Sequence, residues 1–149
     1  MPAYRTIVVG TDGSDTSFHA VDRAAAVAAD CDAELVIVCA YTPASPGDTA
    51  EAEDALKDEA YLVVGWTPAE ETLRTAEERA AAAGARSIRT LADDGPPVDV
   101  LRKAVRDTGA DLLVVGNRGL NTLSGRLLGS VPSGVARRAG IDVLIVHTT

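Results

Sequence analysis

The sequence has 149 residues, 46% of them hydrophobic and 24% charged, the size and composition of one ordinary domain that can fold around its own core. That apolar content excludes whole-chain disorder, and no run of the sequence nears the about 20 apolar residues of a membrane span. A formal net charge of −8 argues against general binding to nucleic acid, which rewards a basic surface.

The chain opens on an aliphatic run, TIVVG at 6–10, followed by the turn-rich TDGSDTS. Ser14 is a good N-cap, and the spacing predicts a helix to about Asp30 with Ala20, Ala24, Val27 and Ala28 inward. A second strand is predicted at 34–41, ELVIVCAY. Residues 43–66 are rich in Asp, Glu and Ala and contain Pro43, Pro46 and Gly47. They read as a mobile insert with a short helix near 51–60, longer than ordinary loops and suited to a lid or partner surface as much as to a tolerated insertion. A second long helix is expected from Thr67 as cap, with Pro68 at the first position and Glu70 closing a capping box, to a stop at Gly84. A weaker strand at 86–92 follows. A third helix, after DGPPVDVL, carries Val98, Leu101, Ala104 and Val105 on one face and ends near Gly109. DLLVVG at 111–116 and DVLIVH at 142–147 are further strands, separated by a loop and a last helix that follows GSVPSGV and ends at Gly140.

The aliphatic runs are continuous rather than alternating, as strands buried on both faces of a parallel sheet are. Strands alternating with helices predict a single α/β domain, residues 1–149, doubly wound through right-handed crossovers. Cys31 and Cys39 are not in a CxxC arrangement and read as small buried apolar residues. His19 and His147, the two histidines, have no partner at metal-ligand spacing. The N-terminal MPAYRTIVVGTDGSD lacks the features of a signal peptide, so a cytosolic location is expected.

Charge is unevenly spread. Residues 1–111 carry 10 Lys/Arg against 21 Asp/Glu, whereas residues 112–149 carry Arg118, Arg126, Arg137 and Arg138 against Asp142 alone. A small anion would be drawn to that quarter, although Arg137 and Arg138 also suit the closing turn of a helix. The same quarter contains GNRGLNTLSGRLLGSVPS, residues 116–133. Gly116 and Gly119 are two residues apart, and nine residues lead on to Gly129–Ser130. Glycines let backbone N–H groups approach a ligand. Gly129, Ser130 and Val131 open the last helix, where free N–H groups favour phosphate, and Arg118 and Arg126 bracket the loop as phosphate partners. No Walker A loop and no GxGxxG is present. IVVGTDG (7–13) and LVVGNRG (113–119) repeat one pattern, strand, Gly, two residues, Gly, and two such strand ends would flank the ligand crevice of a doubly wound sheet.

The G-x2-G-x9-G-[ST] spacing after a VVG strand end, the opening IVVGTDGSDTS and the closing GSVPSGVARRAGIDVLIVH together resemble the universal stress protein family, in its ATP-binding subgroup, over the whole chain. The resemblance implies a Rossmann-like fold, a five-stranded parallel sheet in the order 3-2-1-4-5 with helices on both faces, and a homodimer formed through the last, edge strand. It implies an adenine nucleotide as ligand, ATP by default with AMP or cyclic AMP open, and a cytosolic role as a stress-response regulator. By position, Gly10, Thr11 and Asp12 border the adenosine, Ala40 lines the adenine pocket through its backbone, and Val115 and Gly116 face the ribose. Residues Gly119 through Gly129 wrap the phosphates, with Ser130 and Val131 donating. Gly10–Thr11 departs from relatives that place Pro before the Thr–Asp pair, and Asn117–Arg118 from those with Ser or Thr and His or Arg.

No catalytic residue and no resident metal site is expected. Asp12, Ser14 and His19 resemble a triad only in composition, since Ser14 reads as a cap and His19 as a helix-face residue. Asp12 with Ser130 is the pair the sequence offers to magnesium. A slow ATPase or autokinase, or a dimeric interaction module stabilised by nucleotide, stand as the alternatives to plain binding. Glu70, Glu71, Glu77 and Glu78 read as a solvated helix face, and Tyr61 and Trp66 as packing residues.

Overall fold

The computed structural model describes residues 2–42, 66–117, 134 and 139–148. These form β1 (Thr6–Gly10), α1 (Asp15–Cys31), β2 (Glu34–Tyr41), α2 (Trp66–Ala82), β3 (Ser87–Asp94), α3 (Pro97–Thr108), β4 (Leu112–Gly116) and β5 (Asp142–Val146). All five strands are parallel, in the order β3-β2-β1-β4-β5. The expected doubly wound α/β architecture is therefore present. The short helix expected near 51–60 and most of the closing helix lie outside the described residues.

Strand period 2 sorts the aliphatic runs onto two faces. Ile7, Val9, Leu35, Ile37, Cys39, Leu112 and Val114 pack under α1 and α2. Val8, Val36, Val38, Leu113 and Val115 pack under α3 through Val100, Leu101, Ala104 and Val105. Continuous Val/Ile/Leu strands are what this two-sided burial requires. The helices over the first face are alanine-rich where they meet it. Ala20, Ala24, Ala25 and Ala28 of α1 and Ala69, Ala76 and Ala80 of α2 are buried, so backbones lie close. Outside this contact, Arg79 donates to both oxygens of Asp22 at 2.6 and 3.1 Å, with its guanidinium 5.2 Å from the centre of the Phe18 ring.

Ser14 caps α1 by accepting from the Ser17 amide, and Asp32 ends the helix in the left-handed region at φ 53°. Helix α3 ends at Gly109, φ 68°, as expected. Helix α2 corrects its predicted start. It begins at Trp66, so Thr67 is a residue of the first turn and not its cap; Pro68 is tolerated there because first-turn N–H groups have no intrahelical partner. The solvated face expected at Glu70, Glu71, Glu77 and Glu78 is exposed. Cys39 is buried, whereas Cys31 in the last turn of α1 is only partly so, which corrects the reading of both as core residues. Its position at the helix end leaves it at the rim of the core.

At the amino end of the sheet, the Asp111 carboxylate accepts from the Arg5 amide at 3.1 and 3.2 Å and from the Thr6 amide at 3.1 Å. The Tyr4 hydroxyl donates to Asp142 at 2.9 Å. These bonds join the starts of β1, β4 and β5. Removing the Asp111 acceptor leaves two strand-start amides without it. Asp111→Ala is expected to lower unfolding free energy by about 1–2 kcal/mol in denaturant titration. Asp107→Ala, which breaks only an exposed pair with Arg106, should stay within about 0.5 kcal/mol of wild type.

Candidate functional site: the carboxyl ends of β1 and β4

The strand order reverses between β1 and β4, and there the sheet opens. The β1–β4 ladder ends at Val9↔Val114. On the outer sides pairing runs further, to Gly10↔Val38 between β1 and β2 and to Gly116↔Val146 between β4 and β5. The next residues continue the divergence. The Thr11 amide donates to the Val38 carbonyl at 2.9 Å and the Asn117 amide to the Val146 carbonyl at 2.8 Å. Each strand thus turns to its outer neighbour, and among the described residues the two ends diverge at the place where doubly wound sheets bind ligands.

Gly10, Ala40 and Val115 fall on the sheet face covered by α3. Gly10 closes β1, and a β-carbon there would stand 3.0 Å from Leu101 Cδ2. Ala40, two residues beyond Val38 on β2, pairs with Asp93 and is half-buried. Val115 is 4% exposed and belongs to the core, so its backbone rather than its side chain borders the opening. Gly116 ends β4.

The turn from β1 into α1 is held by its own side chains. Thr11 is buried; its Oγ1 accepts from the Gly13 amide at 3.2 Å and lies 2.7 Å from Ser17 Oγ. Asp12 Oδ1 accepts from the Ser14 amide at 2.9 Å and from the Ser14 hydroxyl at 2.6 Å. Asp12 is half-buried, and its charge reaches β2. Burial pushes the Cys39 thiol up to about 12, with the Asp12 carboxylate adding to the rise. Gly13 has φ +86°, and a β-carbon there would meet Thr72 Oγ1 of α2 at 2.9 Å. Helix α2 therefore presses on this loop.

Asn117, a nucleotide-contact candidate from its place in the GNRG segment, also has a structural part. It is buried, and its Oδ1 accepts from the Thr148 amide at 2.8 Å and the Thr148 hydroxyl at 3.0 Å. Its side-chain carbonyl ties the exit of β5 to the end of β4. Of the residues singled out from the sequence, Gly10, Thr11, Asp12, Ala40, Val115, Gly116 and Asn117 converge on the carboxyl edge of neighbouring strands. Arg118, Gly119, Arg126, Gly129, Ser130 and Val131 lie outside the described residues. Ser17, Cys39 and Thr72 were missed. The density of hydroxyls in TDGSDTS was the available signal for Ser17; nothing in the sequence brings Thr72 to Gly13. His19 is exposed and Ser14 serves as the cap, so the described residues do not assemble a triad. Among them no cluster of three His, Cys, Asp or Glu could hold a metal ion, and no helix is long and apolar enough to cross a membrane.

Comparison with known proteins places this geometry in context. The model of the universal stress protein family matches residues 3–147. A universal stress protein of Mycobacterium tuberculosis is 56% identical over 149 residues, covering 100% of both chains. A putative universal stress protein of Staphylococcus aureus is 32% identical over 151 residues, covering 99% of this chain and 87% of the other. Among solved structures, a universal stress protein crystallised in complex with cyclic AMP superposes with a TM-score of 0.76 at 49% identity, covering 99% of each chain.

Two measurements check the loop. Gly13→Ala should cost about 1–2 kcal/mol from the left-handed backbone alone, and more from the Thr72 contact, in thermal denaturation. Gly10→Ala, with a normal backbone and the flexible tip of Leu101 as its neighbour, should cost less. Cys39 should resist alkylation at pH 8 in the folded protein, because its thiol titrates far above that pH and is buried; Cys31 should react first.

Proposed function

The chain belongs to the universal stress protein family, and we propose that it binds an adenine nucleotide in the crevice between the ends of β1 and β4. The observation that carries this reading is the divergence of those two strands, with Gly10, Asp12 and Gly116 at its mouth. A base and ribose need a slot lined by backbone and small residues, and Gly10, Ala40 and Gly116 supply one. A hydrogen-bond acceptor at the mouth, Asp12, suits the amino or hydroxyl groups of a nucleoside and repels phosphate. The phosphates then belong on the other side, along the glycine-rich segment after β4. In sequence that segment carries Gly119, Gly129, Ser130 and Val131 with Arg118 and Arg126, the composition of an anion cradle. The cyclic AMP bound by a 49% identical relative supports an adenine nucleotide; ATP and AMP share its nucleoside and stand within the same proposal.

The role is binding rather than turnover. Ser14 and Thr11 direct their hydroxyls into the α1 cap, and His19 stands apart on the surface. A cytosolic regulator that responds to the level of the nucleotide is the function this reading assigns. Homodimerisation through β5 belongs to it as well. Among the described residues β5 pairs only with β4, and Leu144 on it is 36% exposed. An open aliphatic edge strand favours pairing with a second copy.

Calorimetric titration with ATP, AMP and cyclic AMP, with and without magnesium, tests the proposal. Saturable binding of at least one is expected, and Gly129→Glu should abolish it by placing a carboxylate in the phosphate segment while the protein still melts cooperatively. Absence of binding by wild type to all three would overturn the reading. Light scattering at micromolar concentration is expected to give the mass of a dimer; a monomer with and without nucleotide would contradict the assembly.

A further inference from the structure

We infer that Ser14, beyond capping α1, is a positioning residue that holds the Asp12 carboxylate for the ligand. This rests on the nucleotide-crevice reading above and adds to it a residue and a specific chemical task. Each hydroxyl proton in the loop has a definite acceptor. Ser17 Oγ donates to the Ser14 carbonyl at 2.9 Å. Its single proton is then spent, so across the 2.7 Å Thr11–Ser17 contact Thr11 must be the donor. Ser14 Oγ donates to Asp12 Oδ1 at 2.6 Å. It therefore accepts from the Ser17 amide at 3.2 Å and from the Thr16 hydroxyl at 3.1 Å.

All four hydroxyl protons of Thr11, Ser14, Thr16 and Ser17 are committed inside the loop. This hydroxyl-rich turn thus offers a ligand no hydroxyl donor. The Asp12 carboxylate keeps Oδ2 as an uncommitted acceptor on a half-buried residue, whereas the other carboxylate of the turn, Asp15, is exposed. Ser14 clamps Asp12 Oδ1 twice, through its amide and its hydroxyl. A carboxylate gripped on one oxygen keeps a fixed plane, and a fixed acceptor recognises a donor better than a freely rotating one. The Ser14 hydroxyl is also the link between the cap and the clamp, because the same atom serves both.

The two jobs separate by substitution. Ser14→Asp retains a good cap but replaces the donor with a second carboxylate beside Asp12. Ser14→Gly loses the donor with only a small capping penalty. Ser14→Thr keeps both cap and donor. Titration with ATP and cyclic AMP, beside thermal melts of the ligand-free proteins, is expected to show Ser14→Thr near wild type in both. Ser14→Asp and Ser14→Gly should fold and lose about tenfold or more in affinity, as loss of a hydrogen bond to a charged group does. Asp12→Ala is the control for the underlying reading. If Asp12→Ala loses affinity while Ser14→Asp and Ser14→Gly bind as wild type, the positioning role is wrong and the crevice stands. If Asp12→Ala itself binds as wild type, the assignment of Asp12 to the ligand fails and takes the inference with it. Affinity loss in all Ser14 variants, Thr included, would also overturn it, since the donor would then not be the deciding feature.

Discussion

One constraint governs the carboxyl end of this sheet: every strand-end amide must find an acceptor, and for β1 and β4 the acceptors lie in opposite directions. Thr11 takes the Val38 carbonyl of β2, and Asn117 takes the Val146 carbonyl of β5. Leaving a buried backbone amide unpaired costs about 1–3 kcal/mol, so these bonds hold the two strand ends apart. The opening between them is a consequence of topology. The chain builds outward from β1 to β3 and then crosses back to place β4 on the other side of β1. Helices consequently lie on opposite faces at that point, α1 and α2 on one and α3 on the other.

Around that seam the sequence spends small and polar residues where packing alone would favour large apolar ones. Gly10 stands where a β-carbon would press on Leu101, and Gly13 where one would press on Thr72. The polar groups close to the seam satisfy one another, and among the described residues no buried side-chain nitrogen or oxygen lacks a partner. Asn117 illustrates the economy. Its amide extends the β4–β5 pairing and its side chain extends it once more through Thr148, so a residue next to the crevice stiffens one of its walls. The opposite wall is stiffened by the α1 cap. Two rigid walls reduce the ordering a ligand must induce on binding.

Much of this was legible in the sequence because strands buried on both faces leave an unmistakable aliphatic record. TIVVG, ELVIVCAY and LLVVG fall on β1, β2 and β4; Ser14 marks a helix start by its side-chain cap, and Gly84 and Gly109 mark helix ends by their positive φ. Strand β3 was weaker because it is an edge whose residues Arg89, Asp93 and Asp94 face partners and water. Thr67 misled because a capping box is a local pattern, and the helix already includes Thr67. At the site, glycines and Asp12 were readable as strand-end residues. The roles of Ser17, Cys39 and Thr72 were not, since they depend on which elements become neighbours in space. The pairing role of Asn117 was equally hidden: inside the G-x2-G pattern in sequence, its side chain ties β4 to the exit of β5.

We propose that the diverging ends of β1 and β4 receive the nucleoside. Backbone amide chemical shifts during titration with cyclic AMP test it most directly. The largest changes are expected at Gly10, Asp12, Gly13, Ala40 and Gly116, with β3 residues such as Ser87 and Arg89 at the amino end unmoved. Changes confined to other surfaces, with Gly10 through Gly13 and Gly116 silent at saturation, would contradict it.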